Sequence, residues 1–264
     1  MGYNRAASKG VSTMMGKGKN NSGYVQDISS VETEFSVLEA YRSIRTNIIF
    51  SLVDAEGCKK VVVTSAMASD GKTTTCINIA MSFAQLGMKV LIIDADLRRP
   101  MVHRYLGLRN DAGLSDVLAG LEMLDNVIKN KSDIDFISAG RLAQNPAELL
   151  ASKRMEETVE QLSQIYDYIF IDTPPASLVT DAVIAARLTD GVVLVTRHNY
   201  TDHRVVDTTI KTFNFAGEKI LGFVLNGVKK KKFKSRNDKH GYYKYIKHDY
   251  DMNRAFEEST EKQD

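Results

Sequence analysis

The sequence predicts an α/β fold built on a doubly wound, mostly parallel sheet flanked by helices. Short apolar runs alternate along the chain with stretches of helical periodicity, and several runs are apolar at successive positions. Such alternation is typical of doubly wound sheets, and unbroken apolar runs are typical of parallel strands buried on both faces. A composition of 43% hydrophobic and 26% charged residues is that of an ordinary globular protein. The net charge of +2 provides no global field for binding nucleic acid.

The predicted elements follow one another in a regular order. A first helix is expected over residues 32–52, because Phe35, Leu38 and Tyr41 begin an apolar series with spacings of three and four. Six strands are then expected, at residues 61–64, 90–93, 136–138, 168–171, 192–196 and 220–225. The helical patterns between them cover residues 73–86, 149–165, 181–188 and 205–215.

The two ends of the chain differ in composition from the part between them. Residues 1–30 are rich in Gly, Ser, Asn and Lys without apolar periodicity, so we expect a disordered segment. Residues 31–228 are expected to form one domain, and residues 229–264 a flexible, basic, tyrosine-rich tail with almost no aliphatic side chains. Two well-separated cysteines and the lack of an apolar run of about 18 residues favour a cytoplasmic protein.

The stretch VVVTSAMASDGKTTTCINIA, residues 61–80, has the form of a phosphate-binding loop between a strand and a helix. Such a loop directs free N–H groups and the positive end of a helix dipole into one concavity. Lys72 would bind the β- and γ-phosphates of ATP, and the Thr73 hydroxyl would be a ligand of Mg²⁺. Ala66 occupies the position of the usual first glycine, where a Cβ fits only if φ is negative. The alternative is an ordinary strand-to-helix turn. The nucleotide-binding residues predicted here are Ser69, Asp70, Gly71, Lys72, Thr73 and Thr74.

Three aspartates follow two other predicted strands. Asp94 and Asp96 end the second apolar run, and Asp172 ends the fourth. Ligands of open parallel sheets bind beyond the carboxyl ends of the strands, so we expect these carboxylates beside the loop lysine. A cation would relieve their mutual repulsion, and we predict Mg²⁺ held by Thr73, by Asp172 and by one of the pair Asp94 and Asp96. The alternative for each aspartate is that it caps the following helix.

These motifs together resemble those of bacterial tyrosine kinases of the CpsD/CapB type, which serve capsule and exopolysaccharide systems. The resemblance extends from about residue 36 into the tail and implies a P-loop NTPase fold of the ParA/MinD kind. Two features depart from the family: Ala68-Ser69 stand where Pro-Gly is common, and the tail is more basic than expected. The motifs besides the phosphate loop are Asp94-Ala95-Asp96 followed by Leu97-Arg98-Arg99-Pro100, Asp172-Thr173-Pro174-Pro175, Glu39-Ala40-Tyr41-Arg42-Ser43-Ile44-Arg45, and the cluster Tyr242, Tyr243, Tyr245 and Tyr250.

The resemblance implies an ATP- and Mg²⁺-dependent protein-tyrosine kinase that phosphorylates its own tail tyrosines and regulates polysaccharide synthesis and export. A tyrosine hydroxyl, with an ordinary pKa of about 10, benefits from a base when it attacks phosphorus. By resemblance, Asp94 is favoured as the carboxylate nearest the tyrosine and Asp96 as a supporting charge, although the sequence does not decide between them. The catalytic residues so implied are Lys72, Asp94, Asp96 and Asp172.

The same resemblance has consequences for partners. Glu39, Arg42 and Arg45 lie three residues apart on one helix face, and by resemblance they form a contact between subunits of a ring. The alternative is a solvated face with an i,i+3 salt bridge. A separate membrane adaptor is expected to activate the kinase and to hold it at the inner face of the cell membrane. The basic run from Lys229 to Lys232 would add a contact with anionic lipid, which phosphorylation of the tail would offset.

Two other functions compete with the kinase. A partition or cell-division ATPase of the ParA/MinD kind typically carries a second lysine five positions before Lys72, where Met67 stands, and lacks a tyrosine-rich tail. A nucleic-acid-binding module has one short basic run in its favour and leaves the aspartates unexplained, so no nucleic-acid partner is predicted. Asn226, which ends the last predicted strand, is assigned to the adenine, with a turn before Gly227 as the alternative.

Overall fold

The computed structural model describes residues 35–228. The segment predicted to be disordered and the tyrosine-rich tail lie outside the described residues. The elements in chain order are α1 (Phe35–Ser51), β1 (Lys59–Ser65), α2 (Lys72–Ala84), β2 (Val90–Asp94), α3 (Val102–Leu106), α4 (Leu114–Leu118), α5 (Leu124–Val127), β3 (Ile128–Lys131), β4 (Ile134–Ile137), α6 (Pro146–Leu150), α7 (Lys153–Ser163), β5 (Tyr168–Asp172), α8 (Asp181–Ala186), β6 (Gly191–Arg197), α9 (His203–Phe215) and β7 (Ile220–Asn226).

The strands form one seven-stranded sheet in the order β3-β4-β2-β5-β1-β6-β7. Every neighbouring pair is parallel except β3 and β4, which are antiparallel. Parallel neighbours need crossover connections, and the helices between the strands provide them. The predicted mostly parallel, doubly wound sheet is therefore confirmed.

The apolar residues of the central strands are buried on both faces of the sheet. On β1, Val61 and Val63 belong to a cluster that includes residues of α1 and α2, whereas Val62 belongs to a second cluster with residues of α7, α8 and α9. All three valines are fully buried. Burial of one such side chain stabilises the fold by about 1.5–3 kcal/mol, so an unbroken apolar run is the pattern that this strand requires.

Three parts of the fold differ from the sequence prediction. The helix expected over residues 149–165 is two helices, because α6 ends at Leu150 and Ser152 is the N-cap of α7, where its hydroxyl accepts a hydrogen bond from the Met155 N–H at 3.3 Å. The strand β3 was not predicted, since its sequence IKNK has a single apolar residue and half of it is exposed. The helices α3, α4 and α5 were also missed, because four or five residues are too few to show a helical period.

The carboxyl ends of the parallel strands lie at one rim of the sheet, and this rim carries the predicted motifs. Asp94 at the end of β2 is paired in register with Asp172 at the end of β5. Val63 of β1 is the partner of Asp172 on its other side, and the phosphate loop (residues 66–71) follows β1 immediately. The topology therefore brings the aspartates and the phosphate loop together, as the sequence predicts. In the described part of the chain, no helix has the length and apolar character needed to cross a bilayer.

Candidate active site

The phosphate loop leads from β1 into the first turn of α2. Gly71 is the N-cap of α2, has a φ of +94°, and provides no side chain to cap the helix. The first N–H groups of a helix have no intrahelical partner, and an uncapped N-terminus of this kind is suited to bind an anion. The helix has 13 residues, so its dipole contributes partial positive charge at the same place.

Among the non-glycine residues of the phosphate loop, the one with a positive φ is Ser69 and not Ala66. Ala66 is fully buried and does not have a positive φ, so its Cβ is accommodated as that position requires. Ser69 instead has a φ of +67°, a conformation that residues other than glycine adopt only at a cost. Ser69 therefore has a conformational cost that Ala66 avoids.

A cluster of charged side chains lies at the N-terminus of α2. The Lys72 ammonium is 3.0 Å from Asp96 Oδ2 and 3.5 Å from Asp172 Oδ2. The Thr73 hydroxyl donates a hydrogen bond to Asp172 Oδ2 at 2.6 Å and lies 3.2 Å from the ammonium. Four of the predicted site residues are therefore in direct contact, although they come from three separate motifs.

Burial controls the electrostatics of this cluster. The pKa of Asp172 is raised because the carboxyl group is buried, and the nearby Lys72 and Thr73 only partly offset this effect. Burial alone would lower the pKa of Lys72, but the carboxylates of Asp172 and Asp96 outweigh it and raise that pKa. The cluster holds more carboxylates than cations, so it is able to accept a further positive charge.

The donor set fits Mg²⁺ only in combination with phosphate oxygens. Thr73, Asp96 and Asp172 offer hydroxyl and carboxylate oxygens, the hard ligands that Mg²⁺ prefers. Within residues 35–228, no three His, Cys, Asp or Glu side chains are grouped so that they could hold a metal by themselves. Mg²⁺ is usually bound by one or two carboxylates together with phosphate and water, which is the arrangement these residues allow.

Asp94 has different neighbours from Asp96. Its carboxylate is fully buried and accepts hydrogen bonds from the N–H groups of Met101 and Val102, at 3.2 and 3.0 Å, where α3 begins. Burial and the nearby Asp172 raise its pKa well above the ordinary range. Asp96 is the member of the pair that reaches Lys72. The role of Asp94 as the base stays a prediction. The alternative, in which Asp94 caps the following helix, agrees with its hydrogen bonds from Met101 and Val102 at the start of α3.

Asn226 lies beside the phosphate loop. Its Nδ2 donates to the Asp70 carbonyl at 2.9 Å, and its Oδ1 accepts from the Gly227 N–H at 2.8 Å. A Cβ added to Gly71 would lie 2.1 Å from the same Nδ2, so the contact requires glycine there. The adenine contact predicted for Asn226 stays a prediction, whereas the contact in the structure is with the loop.

The helix motif on α1 divides into two parts. Arg42 Nη1 and Glu39 Oε1 form a 2.7 Å salt bridge with both side chains largely exposed, as the solvated alternative predicts. Arg45 instead donates to the carbonyl of Ser82 and so ties α1 to α2 within the chain. A role of the three residues in a subunit contact stays a prediction. The predicted phosphorylation sites, Tyr242, Tyr243, Tyr245 and Tyr250, lie outside the described residues.

Sequence reasoning missed two long-range contacts at this rim. Arg98 binds Asp181 through two hydrogen bonds of 2.8 and 3.0 Å, and the Asp181 carboxylate is fully buried. Thr201 donates to Asp70 Oδ1 at 2.7 Å across 131 residues of sequence. Arg98 belongs to a motif that was recognised in the sequence, whereas its partner Asp181 belongs to no such motif. Thr201 gives no local signal at all, because its partner is defined only by the fold.

Comparison with known proteins identifies the family. A family model described as an AAA domain matches residues 58–221. The tyrosine-protein kinase YwqD of Bacillus subtilis is 40% identical over 207 residues, which cover 78% of this chain and 85% of YwqD. The chain belongs to the bacterial tyrosine-protein kinases. The putative tyrosine-protein kinase CapB of Staphylococcus aureus, 36% identical over 205 residues that cover 77% of this chain and 88% of CapB, agrees with this assignment.

Solved structures of this kinase family have the same fold. The kinase domain of the Escherichia coli tyrosine kinase Etk superposes with a TM-score of 0.72 at 35% identity, over 76% of this chain and 79% of that one. The chimerical protein CapA2B2 gives 0.71 at 32% identity, over 76% and 88% of the two chains. The resemblance drawn from the motifs is confirmed. The match covers only 27% of some relatives, such as the putative tyrosine-protein kinase AmsA of Erwinia amylovora, which is 39% identical over 201 residues, 75% of this chain.

A more distant neighbour confirms the P-loop NTPase fold. The septum site-determining protein MinD of Pyrococcus horikoshii, complexed with Mg-ADP, has a TM-score of 0.55 at 26% identity, over 64% of this chain and 70% of MinD. The predicted ParA/MinD-like architecture is therefore correct. The TM-score and the sequence identity of MinD are lower than those of the kinase domain of Etk. The chain is therefore more similar to the kinases than to the ParA/MinD-type ATPase that was the alternative prediction.

Proposed function

We propose that this chain is an ATP- and Mg²⁺-dependent protein-tyrosine kinase that phosphorylates its own C-terminal tail. The observation that carries the proposal is the contact of Lys72 and Thr73, in the first turn of α2, with carboxylates from two other strand ends. Phosphoryl transfer depends mainly on positioning and on charge stabilisation, and this cluster supplies both. The acceptors would be Tyr242, Tyr243, Tyr245 and Tyr250.

The protein groups at the cluster divide the work of binding ATP. The N–H groups at the start of α2 and the Lys72 ammonium bind the phosphates, and the backbone of Ser69, Asp70 and Gly71 surrounds them. Thr73, Asp96 and Asp172 would hold Mg²⁺, and the bound ion would neutralise charge that develops on the phosphate oxygens. Lys72 would then exchange its carboxylate partners for phosphate oxygens, so the ion pairs of the ligand-free protein are replaced and not simply lost.

The chemical step is a transfer of the γ-phosphoryl group from ATP to a tyrosine. The tyrosine oxygen forms a bond to the γ-phosphorus, the bond from that phosphorus to the β–γ bridging oxygen breaks, and ADP leaves. The phenolic proton passes to a carboxylate of the Asp94 and Asp96 pair. Asp94 can serve as this base in its ionised form, once the Met101 and Val102 amides release the carboxylate.

The kinase would act at a membrane through partners. The solved relative CapA2B2 is described as a chimerical protein, which is compatible with a separate adaptor that would activate this chain at the inner face of the cell membrane. Subunits would associate in a ring through the α1 residues Glu39, Arg42 and Arg45, and a tail would reach the site of a neighbour. Phosphorylation of the tail would in turn regulate the synthesis and export of a capsular or extracellular polysaccharide.

Intact-mass measurement tests the proposal directly. The full chain is incubated with Mg-ATP, alone and with an adaptor fragment, and repeated additions of one phosphate mass are expected. A variant with Tyr242, Tyr243, Tyr245 and Tyr250 all changed to Phe should gain none of these additions while it still binds Mg-ATP. Hydrolysis of ATP by the wild-type chain without any gain in protein mass would instead support a nucleotide-switched ATPase of the MinD kind.

A further inference from the structure

The phosphate loop contains a residue in an unfavourable conformation. Ser69 has a φ of +67°, and a side chain at such a position costs about 1–2 kcal/mol relative to the right-handed conformation. Glycine, which is common at this position in the family that the motifs resemble, does not incur this cost. Strained residues persist only where surrounding contacts hold them in place. Ser69 should therefore be held in this conformation by contacts with the residues around it.

The buried carboxylate of Asp70 is the centre of these contacts. Its Oδ2 accepts a hydrogen bond from the Met67 N–H at 2.9 Å and so closes the turn that contains Ser69. Its Oδ1 accepts a hydrogen bond from the Thr201 hydroxyl at 2.7 Å. Asp70 is fully buried although its neighbours Ala68 and Ser69 are exposed. This side chain therefore connects the loop to the body of the protein and does not extend toward solvent.

Two more side chains hold the same residues from the same side. Arg197, the last residue of β6, donates from Nη1 to the Ser69 carbonyl at 3.3 Å, and Asn226, the last residue of β7, donates to the Asp70 carbonyl at 2.9 Å. Thr201 is itself fixed, because its hydroxyl accepts the Arg197 N–H at 2.7 Å. The ends of two neighbouring strands thus hold two consecutive loop residues, and we call Asp70, Arg197, Thr201 and Asn226 the loop brace.

We propose that Thr201, acting through Asp70, is a positioning residue for nucleotide binding, and that the loop brace holds the strained Ser69 turn in the shape that binds phosphate. The inference rests on the proposed function, because it presupposes that the loop binds ATP. Thr201 does not contact the nucleotide. Its effect is to keep the N–H groups of the loop directed at the phosphates, so its loss weakens nucleotide binding and leaves the chemical step unchanged.

A set of threonine variants of the full chain tests this role. Thr201→Val removes the hydroxyl at nearly constant volume, Thr201→Ser retains it, and Thr208→Val is the matched control. The Thr208 hydroxyl donates only within α9, to the Arg204 carbonyl at 2.9 Å. Mg-ADP affinity measured by calorimetry should fall about tenfold in Thr201→Val, since a hydrogen bond to a charged group is lost, and should stay near wild type in the other two.

Kinetics and a second substitution separate positioning from general stability. The KM for ATP in autophosphorylation should rise about tenfold in Thr201→Val while kcat at saturating ATP is unchanged. In a Ser69→Gly background the turn is no longer strained, so the same Thr201→Val change should weaken Mg-ADP binding by less than about threefold. Equal losses in both backgrounds would overturn the link between the brace and Ser69.

The outcomes distinguish this inference from the proposed function. If the wild-type chain binds Mg-ADP and Thr201→Val binds it equally well, the inference about Thr201 is overturned and the proposed function is not. If the wild-type chain does not bind Mg-ADP, both the inference and the proposed function are overturned. If thermal unfolding shows that Thr201→Val does not fold, Arg197→Ala replaces it, because Arg197 is exposed. Arg197→Ala should weaken Mg-ADP binding about threefold with Ser69 present and not with Gly at position 69. Unchanged binding in the Ser69 protein would overturn the proposal.

Discussion

Two loops at the same rim of the sheet are stabilised in opposite ways. The phosphate loop has one internal side-chain contact, from the Met67 N–H to Asp70, and is otherwise held from outside by Thr201 and Asn226, which lie 131 and 156 residues away from Asp70. The loop of residues 95–101, which we call the aspartate loop, is held mainly by its own motif. Asp94 accepts the amides of Met101 and Val102, and Asp96 accepts the amide of Arg99 at 2.9 Å.

The difference reflects what each loop has to do. A phosphate-binding loop must leave most of its own N–H groups free for the ligand, so most of the groups that fix its shape have to come from elsewhere. The aspartate loop presents carboxylates, and one oxygen of Asp96 is enough to hold the backbone while the other contacts Lys72. Five substitutions or changes of condition test this contrast, in order of decreasing effect.

Lys72→Met should have the largest effect, because Lys72 is where the two loops meet. Its ammonium contacts Asp96 and Asp172, and no other cation in the described chain forms a salt bridge with either of them. Autophosphorylation should fall by about 10³-fold or more, as expected when a principal charge-stabilising group is removed. The rate is measured by intact mass at saturating Mg-ATP, and a variant that retained a tenth of the wild-type rate would contradict the assigned role.

Asp94→Asn tests two roles of Asp94 together, as a side chain that holds the aspartate loop and as the general base. An amide oxygen can still accept one backbone N–H at the start of α3, so the variant should fold. Loss of a general base costs about 10²–10⁴-fold in rate, and Mg-ADP affinity should change much less. Autophosphorylation and calorimetry measure the two effects. A normal rate for Asp94→Asn beside a silent Asp96→Asn would transfer the role of base to Asp96.

Arg98→Ala removes a side-chain contact between the aspartate loop and α8. The buried Asp181 carboxylate would lose both hydrogen bonds from the guanidinium, which should lower the free energy of unfolding by about 2 kcal/mol. Arg109→Ala is the control, because its salt bridge with Asp111 is 3.7 Å long and both side chains are highly exposed. Equal stability of the two variants in urea unfolding would show that the Asp181 contact does not matter.

The stability of the ligand-free protein should depend on pH through its buried carboxyl groups. Burial raises the pKa of Asp94 and of Asp172 above the ordinary value of 3.8. A group with a raised folded-state pKa favours folding when protonated, and this contribution is lost as the pH rises through the folded-state pKa. The free energy of unfolding of the ligand-free protein should therefore fall as the pH rises above about 4, the ordinary pKa of an aspartate. The slope is about 1.4 kcal/mol per pH unit wherever one such carboxyl is protonated in the folded protein and ionised in the unfolded chain. Asp94→Asn should flatten the curve, and parallel curves would contradict the effect of burial.

Arg42→Ala should have the smallest effect on the folded chain. Its salt bridge with Glu39 is exposed, and such pairs contribute about 0.3–0.5 kcal/mol on a helix. If the α1 motif forms a subunit contact, the same change should reduce the mass of the assembly in light scattering while the stability of the subunit stays the same. An unchanged mass of the assembly would contradict the subunit contact and would support the alternative, a solvated helix face with an i,i+3 salt bridge.

The contrast between the loops also explains what the sequence could predict. The aspartate loop is local, so its motif indicated both the residues and their position at a strand end. The sheet was predictable as well, because unbroken apolar runs such as that of β1 occur where strands are buried on both faces. The loop brace, the partner of Arg98 and the polar strand β3 were not predictable, because each depends on contacts between residues far apart in the chain or carries no apolar pattern.

The function proposed for this chain requires that the cluster at the start of α2 bind a magnesium-bound triphosphate. A crystal structure of the full chain with Mg²⁺ and a non-hydrolysable ATP analogue would locate the nucleotide. We expect the Thr73 hydroxyl to leave Asp172 and bind the metal, and Lys72 to contact the terminal phosphates. A nucleotide bound elsewhere on the protein, with the contact between Thr73 and Asp172 intact at 2.6 Å, would refute the assignment of this site.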